Sequence, residues 1–529
     1  MGHRFTTVCG RGLVTAGLGV VLALAVAPPA GAARATDDPP MGSDSGGTLL
    51  PPDGGVSIVP TDQAPDGRVA PRTSPDPDSS SGLELLDAAA LGLAALASLA
   101  ATGIGLSRLA RTLYAWRSPA SLAESAFGPA GGEPTTSFSL LVPAGRSDTG
   151  LGETLDQLAA LDHPHFEVIA VVGYDDLTNR AAAGAAAVRH PETVQVFVDR
   201  QRRRSRAASL NQALDECQGE VVGVFQPGAC VHPRLLLHVD AALADPEIGA
   251  LQGGIRHEVG RRRWFSARAV VDQYFWSRSR LHFHARQRFL PLEATTAFVR
   301  WPVLREAGGW DERCVDEGSE LGVRLSARGT AIAVAYGPDL ATVTPAPATL
   351  PALLRVHYAR IRGYLQVLRK GEWRQLPSRR QRLLARSMLV RPLLDAVTTL
   401  AVVGTLATLL AIGAPAPAVL LAALPLVPVP IMVGAELAGL GELARVDGRR
   451  PRTRDWVWLV VSFVPVTLLT SGVALWALLA QLRGRVGFER SMPVVPVRSP
   501  DRLVLSDDAV VDLTDIAGSD AIATGGGRR

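Results

Sequence analysis

Cysteine is nearly missing from this chain. The four present among 529 residues, Cys9, Cys217, Cys230 and Cys314, have no metal-ligand spacing, so reduced thiols are expected in place of a zinc site or a disulfide framework. Charge is missing too, but only locally: the 47% hydrophobic content is gathered into long uncharged runs instead of being spread through amphipathic elements. A chain built this way has part of its length in lipid. The formal net charge of +4 calls for no nucleic-acid partner, because the arginines flank the apolar runs, where anionic lipid headgroups are their natural counterparts.

The uncharged runs divide the chain. Residues 1 to 33 combine Arg4 and Arg11 with an uncharged stretch and a small-residue end, the pattern of a signal peptide or a signal anchor. Residues 34 to 82 are rich in Pro, Gly, Asp and Ser, and are expected to be a disordered extracytoplasmic linker. A first membrane span is expected over 83 to 107, and Arg108, Arg111 and Arg117 behind it assign residues 118 to 386 to the cytoplasm. Residues 387 to 440 hold two further spans, broken at Gly413-Ala414-Pro415-Ala416-Pro417. A basic cytoplasmic loop follows over 441 to 455. The run 456 to 482 is either one tilted span or a re-entrant pair broken at Pro465, and arginines at both its ends leave the side of the tail, 483 to 529, open.

Within the cytoplasmic stretch, a β-type run at 137 to 142 closed by Pro143, a helical spacing at 152 to 161 and a second β-type run at 166 to 172 predict a parallel sheet. Ligands collect at the carboxyl ends of such strands. Asp175 and Asp176 stand at one of those ends. They are also residue types that turns favour. The segment 264 to 286 interleaves aromatics with Arg278, Arg280, His282, His284 and Arg286, and suits a helix lying against membrane or neighbouring helices.

The order of landmarks carries more than any one of them. Leu-Val-Pro-Ala at 141 to 144, Leu210-Asn211, Val231-His232-Pro233, Gln252-Gly253-Gly254, Gly308-Gly309-Trp310-Asp311-Glu312, Glu320-Leu321-Gly322-Val323-Arg324-Leu325 and Gly363-Tyr364-Leu365-Gln366 follow one another between apolar runs. In this order the chain resembles the membrane-embedded family 2 glycosyltransferases of the processive type, which include cellulose, hyaluronan and poly-N-acetylglucosamine synthases.

The resemblance implies a GT-A α/β domain flanked by transmembrane helices, a nucleotide-diphosphate sugar donor, Mg²⁺ or Mn²⁺, and inversion by direct displacement. It also assigns nucleoside contacts to Asp175 and Asp176, a phosphate-facing cation to Arg206, and the acceptor side to Trp310 and Asp311. The family's metal carboxylates fall on Gln226 and Gly228, and its catalytic base falls on Gly318, next to Asp316 and Glu317. A diphosphate leaves well only when its charge is neutralised, and an acceptor hydroxyl needs a base within hydrogen-bond reach. The Gln-x-x-Arg-Trp motif falls on Val356 to Arg360 and is not kept. The Gly-Asn-Thr turn reads Ala294-Thr295-Thr296, preceded by Glu293. Two expectations follow. One is a catalytically impaired membrane protein of envelope polysaccharide or glycolipid synthesis, binding nucleotide-sugar or glycan and partnering an active synthase. The other is an active inverting transferase that uses a nucleotide-sugar donor through an unusual metal-poor site, with Asp316 or Glu317 supplying the base after a one-residue shift.

Overall fold

The computed structural model describes residues 77–120, 133–146, 148–201, 205–258, 263–337, 340–446 and 451–483, with side chains from residue 92. The leader, the linker up to residue 76, Ser147, Arg449, Arg450 and the tail beyond Arg483 lie outside them. The chain divides into two units, Met1–Ala97 and Ser98–Arg529, and every contact described below is within the second.

Strands β1 (Phe138–Pro143), β2 (Phe166–Gly173), β3 (Val194–Asp199) and β4 (Val221–Val224) are parallel, and β7 (Ala297–Arg300) runs antiparallel between β4 and β5 (Ile248–Gly253). With β8 (Ala331–Ala335) the mixed sheet has the order β3-β2-β1-β4-β7-β5-β8. Strands β6 (Ile255–Glu258) and β9 (Thr342–Pro345) form a small second sheet. All six residues of β1 are buried, because both faces of a parallel sheet are covered by helices. Alternate residues serve opposite cores: Phe138, Leu140 and Val142 join one, while Leu141 joins Ile169, Val171, Val222 and Val224 in the other.

The helices that position the site are α1 (Pro77–Thr112), α2 (Leu151–Ala159), α3 (Leu177–Arg189), α4 (Arg206–Ala213), α5 (Leu235–Leu243) and α6 (Ser266–Phe275). A π-helical turn, Trp276–Arg280, leads from α6 into α7 (Leu281–Arg286), and α8 (Trp301–Ala307), α9 (Glu317–Ala327) and α10 (Leu350–Lys370) follow. Next come α11 (Arg379–Ala411), α12 (Ala416–Ala423), α13 (Pro428–Val446), α14 (Thr453–Val461) and α15 (Phe463–Leu482).

Among the described residues, four helical stretches are long and apolar enough to cross a membrane: Gly92–Thr112, Arg379–Ala411, Ala416–Val446 and Phe463–Leu482. The last has 20 residues, about 30 Å at 1.5 Å per residue, which matches a bilayer core. The break before it falls at Ser462, and Pro465 sits in the first turn of α15, where its missing N–H leaves no bond unmade. The 264 to 286 segment packs on these helices, with Val270, Val271, Tyr274 and Phe275 against Leu440, Leu443 and Leu459.

Helix α9 lies directly on the chain leading into β7. A Cβ at Gly322 would stand 2.5 Å from the Leu290 carbonyl oxygen, so two backbones meet where a side chain would have to be. At Gly152 of α2 the nearest atoms are 3.9 Å away, an ordinary contact. Gly322→Ala is therefore expected to cost about 1–3 kcal/mol. Gly152→Ala should be neutral or stabilising by up to about 1 kcal/mol. Thermal unfolding of the two purified variants checks both, and equal midpoints would contradict the packing described.

Candidate functional site at the strand ends

Each expected site residue sits at a strand or helix end, as a parallel sheet dictates. Asp175 and Asp176 follow β2. Asp176 is 4% exposed and serves as the N-cap of α3, accepting from the Asn179 N–H at 3.1 Å and from Asn179 Nδ2 at 2.9 Å. The Asp175 carboxylate pairs with Arg146 at the rim. One aspartate is thus committed to helix initiation, and its neighbour faces a movable cation.

The turn after β4, where metal carboxylates are expected, is bound to α2. Thr154 accepts from the Gly228 N–H at 2.9 Å and donates to the Ala229 carbonyl at 3.1 Å. Gly228 has φ +78°, and a Cβ there would stand 3.3 Å from both Pro345 Cγ and the Thr149 carbonyl oxygen. The turn therefore has no carboxylate at this position, and its positive φ and tight Cβ contacts disfavour one. Among the described residues no group of three or more His, Cys, Asp or Glu could hold a metal ion. The donor set does not fit the Mg²⁺ or Mn²⁺ that the resemblance implies, since such cations need several oxygen ligands.

The position where the resemblance expects a base is closed as well. A Cβ on Gly318 would lie 2.9 Å from the Glu293 carbonyl carbon and 3.0 Å from the Leu292 oxygen, so the 292–293 backbone fills the place of an aspartate side chain. Beside it, Glu317 takes the Arg206 guanidinium at 2.5 Å, and Arg206 Nη2 donates to the Ala294 carbonyl at 2.6 Å. Arg206 is thus turned into the cleft and held by a carboxylate and a carbonyl of the protein itself. The cleft lined by Arg206, Glu293, Trp310, Glu317 and Gly318 has a volume of about 10 Å³, room for about one water.

Trp310 is 6% exposed and belongs to the core as well as to this cleft. Asn211 holds its backbone at both ends, accepting from the Trp310 N–H and donating to its carbonyl, each at 2.8 Å. Gly309, at φ +71°, is the only residue type that lets the turn pass Asn211 without a clash. The landmarks Leu210-Asn211 and Gly308-Gly309-Trp310 are therefore two halves of one structural lock. Asp311 pairs with Lys370, the chain's single lysine, at 2.9 Å. Burial works to raise the Asp311 carboxyl, but the Arg313 N–H and Lys370 outweigh it and hold it below the ordinary value. Glu320, 1% exposed, joins Lys370 at 2.6 Å and Arg324 at 2.7 Å, and Arg324 Nη2 caps the Gly309 carbonyl at 2.8 Å.

Two half-buried carboxylates stand out in this region. Burial pushes Glu293 up to about 7, against the opposing pull of Arg360 and of Gln273, whose Nε2 donates to both carboxylate oxygens at 3.2 Å. Burial and the neighbouring Glu317 raise Asp316 to about 6; it is the N-cap of α9, accepting from the Ser319 N–H at 3.3 Å beneath Gly363 of α10. Sequence reasoning noted Glu293 only as the residue before the Ala294-Thr295-Thr296 turn. An acid inside an otherwise apolar Phe289-Leu290-Pro291-Leu292 approach was the available signal.

Residues 134–363 match the family model described as "Glycosyltransferase like family 2", and they form a glycosyltransferase family 2 domain. The chain is 26% identical over 226 residues to a beta-monoglucosyldiacylglycerol synthase from Synechocystis sp., covering 40% of this chain and 45% of the relative. A synthase of the same description from Nostoc sp. is 24% identical over 200 residues, covering 35% and 40%. The chain thus spans less than half the length of these curated relatives. A mannosyltransferase from Pyrobaculum calidifontis, solved with GDP-Man and Mn²⁺, shares the fold at TM-score 0.50 and 18% identity, over 74% of this chain and 99% of that one. That likeness establishes the GT-A type of α/β sheet.

Because the folded pKa of Glu293 is raised, the folded state holds a proton that the unfolded chain releases at its ordinary value of 4.5. Its contribution to stability is full below about pH 4.5 and is lost as pH rises through about 7. Glu293→Gln, neutral at every pH, should therefore gain on the wild type between pH 5 and pH 8, by on the order of 1–3 kcal/mol. Thermal unfolding at both pH values measures this, and a variant that loses ground at pH 8 would contradict the burial of the carboxylate.

Proposed function

We propose that this protein is a membrane-embedded glycosyltransferase-like component of glycolipid or envelope polysaccharide synthesis, catalytically impaired, that acts beside an active synthase. The observation that carries the reading is Gly318: the base position lacks its carboxylate, and the Glu293 backbone occupies the space a replacement would need. The closed turn at Gln226 to Ala229 and the Arg206 to Glu317 pair point the same way. Restoring one carboxylate would leave the others missing, and groups that act as a unit do not add. The glycolipid side of the reading rests on the two synthases to which the chain is similar.

In this reading the soluble domain is cytoplasmic and the protein multi-pass, with the arginines behind the first span on the inner side. Nucleotide-sugar or glycan binding is retained at the strand ends by Asp175, Asp176 and Arg206, with Trp310 and Asp311 toward the acceptor. Binding a diphosphate there requires Arg206 to leave Glu317, an exchange of one anionic partner for another.

A specific observation favours a second reading. Glu293 places a carboxylate with a pKa of about 7 on the wall of the same cleft as Gly318, where a general base at neutral pH is most effective. In that case the base has moved across the cleft instead of disappearing. Nucleoside diphosphate release by the purified full chain in lipid, from a panel of nucleoside-diphosphate sugars with added membrane acceptors, separates the two. Background release, together with co-purification of an intact family 2 transferase, is the expected result. Turnover that Glu293→Gln reduces by about 100-fold or more, the scale of general base catalysis, would replace the impaired reading with the second one. Gly318→Asp is expected to cost about 1–3 kcal/mol of stability through overpacking and to restore nothing.

A further inference from the structure

A cavity of about 260 Å³ lies where α6, the π turn, α7 and α10 of the soluble domain meet α1, α11, α13 and α15. Six arginines line it against three carboxylates. Each carboxylate is taken: Glu436 by Arg268 at 2.7 Å, Asp272 by Arg280 at 2.6 Å and Asp395 by Arg108 at 4.0 Å. Six less three leaves Arg111, Arg360 and Arg391 without a carboxylate at ion-pair distance among the described residues. Arg391 Nη2 donates to Ser107 Oγ at 2.6 Å, but Arg391 Nη1 and Arg111 Nη2 are buried with no hydrogen-bond partner.

Uncompensated buried charge is costly, and a guanidinium does not escape by losing its proton. The surroundings relieve this only in part, since Tyr364, Glu293, Asp272 and Asp316 favour the charge on Arg360 while Arg111 faces Arg108, Arg280 and Arg391. Burial, reinforced by Arg111, Arg280 and Arg391, pushes His284 down to about 3, and burial with Arg360 pushes His357 to about 4, so both imidazoles are neutral and the cationic excess belongs to the arginines. Planar guanidinium forks match phosphoryl oxygens. The rest of the lining mixes apolar Leu353, Pro392, Ala396 and Val466 with the hydroxyls of Ser387, Thr399, Thr467, Thr470 and Ser471, and the apolar residues on α11 and α15 lie in candidate spans.

We propose that this cavity binds the phosphate headgroup of an amphiphilic lipid, with Arg111, Arg360 and Arg391 on the phosphoryl oxygens and the acyl part lying along α11 and α15. These arginines are distinct from those of the basic loop at 445 to 454 and of the tail. The inference does not depend on whether the domain transfers sugar, because no residue of the Gly318 cleft lines the cavity.

The test uses the full chain in a neutral detergent, with unfolding followed against temperature in the presence of phosphatidic acid, of diacylglycerol with the same acyl chains, or of inorganic phosphate. Phosphatidic acid is expected to raise the midpoint by several degrees, and diacylglycerol and millimolar phosphate by much less. Arg111→Gln with Arg391→Gln should remove most of the lipid shift. Arg379→Gln with Arg380→Gln, an exposed pair with the same charge change outside the cavity, should keep it. An equal shift with diacylglycerol, or one retained by the cavity variant, would overturn the proposal. Inorganic phosphate matching the lipid would overturn its lipid half. Should the cavity variant fail to fold, photo-crosslinking of phosphatidic acid to the unmodified protein decides: labelled peptides from α1, α10 or α11 support the site, and labelling confined to other segments refutes it.

Discussion

Backbone lies on backbone where helix α9 crosses the segment Leu290 to Ala294, and much of the candidate site follows from that contact. It needs glycine at both Gly318 and Gly322, because either Cβ would stand inside the opposing main chain. Once made, it brings the Ala294 carbonyl and the Glu317 carboxylate to opposite sides of Arg206. It also turns Glu293 into the half-buried wall of the cleft, beside Gln273. The loss of an acid at 318 and the raised acid at 293 are thus two sides of a single packing decision.

The acidic and basic residues near the cleft divide by what holds them. Glu320, Arg324, Lys370 and Asp311 form a closed set that ties α9 to α10 and to the Gly309 turn, and every charge in it has an opposite partner nearby. Such a set fixes the geometry of one arrangement more than it adds net stability, since desolvation offsets much of the Coulomb gain. Farther toward the spans the balance fails, and arginines outnumber carboxylates by six to three. A fold that neutralises its charges so fully in one place and leaves an excess in another concentrates its capacity for an anion in the second place.

Much of this organisation was legible in the residues. The uncharged runs mark the spans because a bilayer demands about 20 apolar residues whatever the tertiary structure. The strand, helix and strand pattern from residue 137 to 172 marks a parallel sheet because side chains alternate across it, and the ordered landmarks mark the family 2 domain that residues 134–363 form. The meaning of single motif residues was less legible. Leu210-Asn211 and Gly308-Gly309-Trp310 lie about a hundred positions apart, and only folding shows Asn211 gripping the Trp310 backbone.

Composition and periodicity alone determined that the chain joins long apolar runs to an α/β domain, and the motif order determined which positions lack the carboxylates that the resemblance expects. These are local properties, set by hydropathy and side-chain spacing. Tertiary structure decided what fills the places of those carboxylates: a threonine-bound turn at Gly228, a neighbouring main chain at Gly318, and an acid of raised pKa at Glu293. It also decided that arginines from α1, α10 and α11, scattered over some 280 positions from Arg111 to Arg391, share one cavity. Distances between residues far apart in the chain depend on how whole elements pack, and no local pattern encodes them.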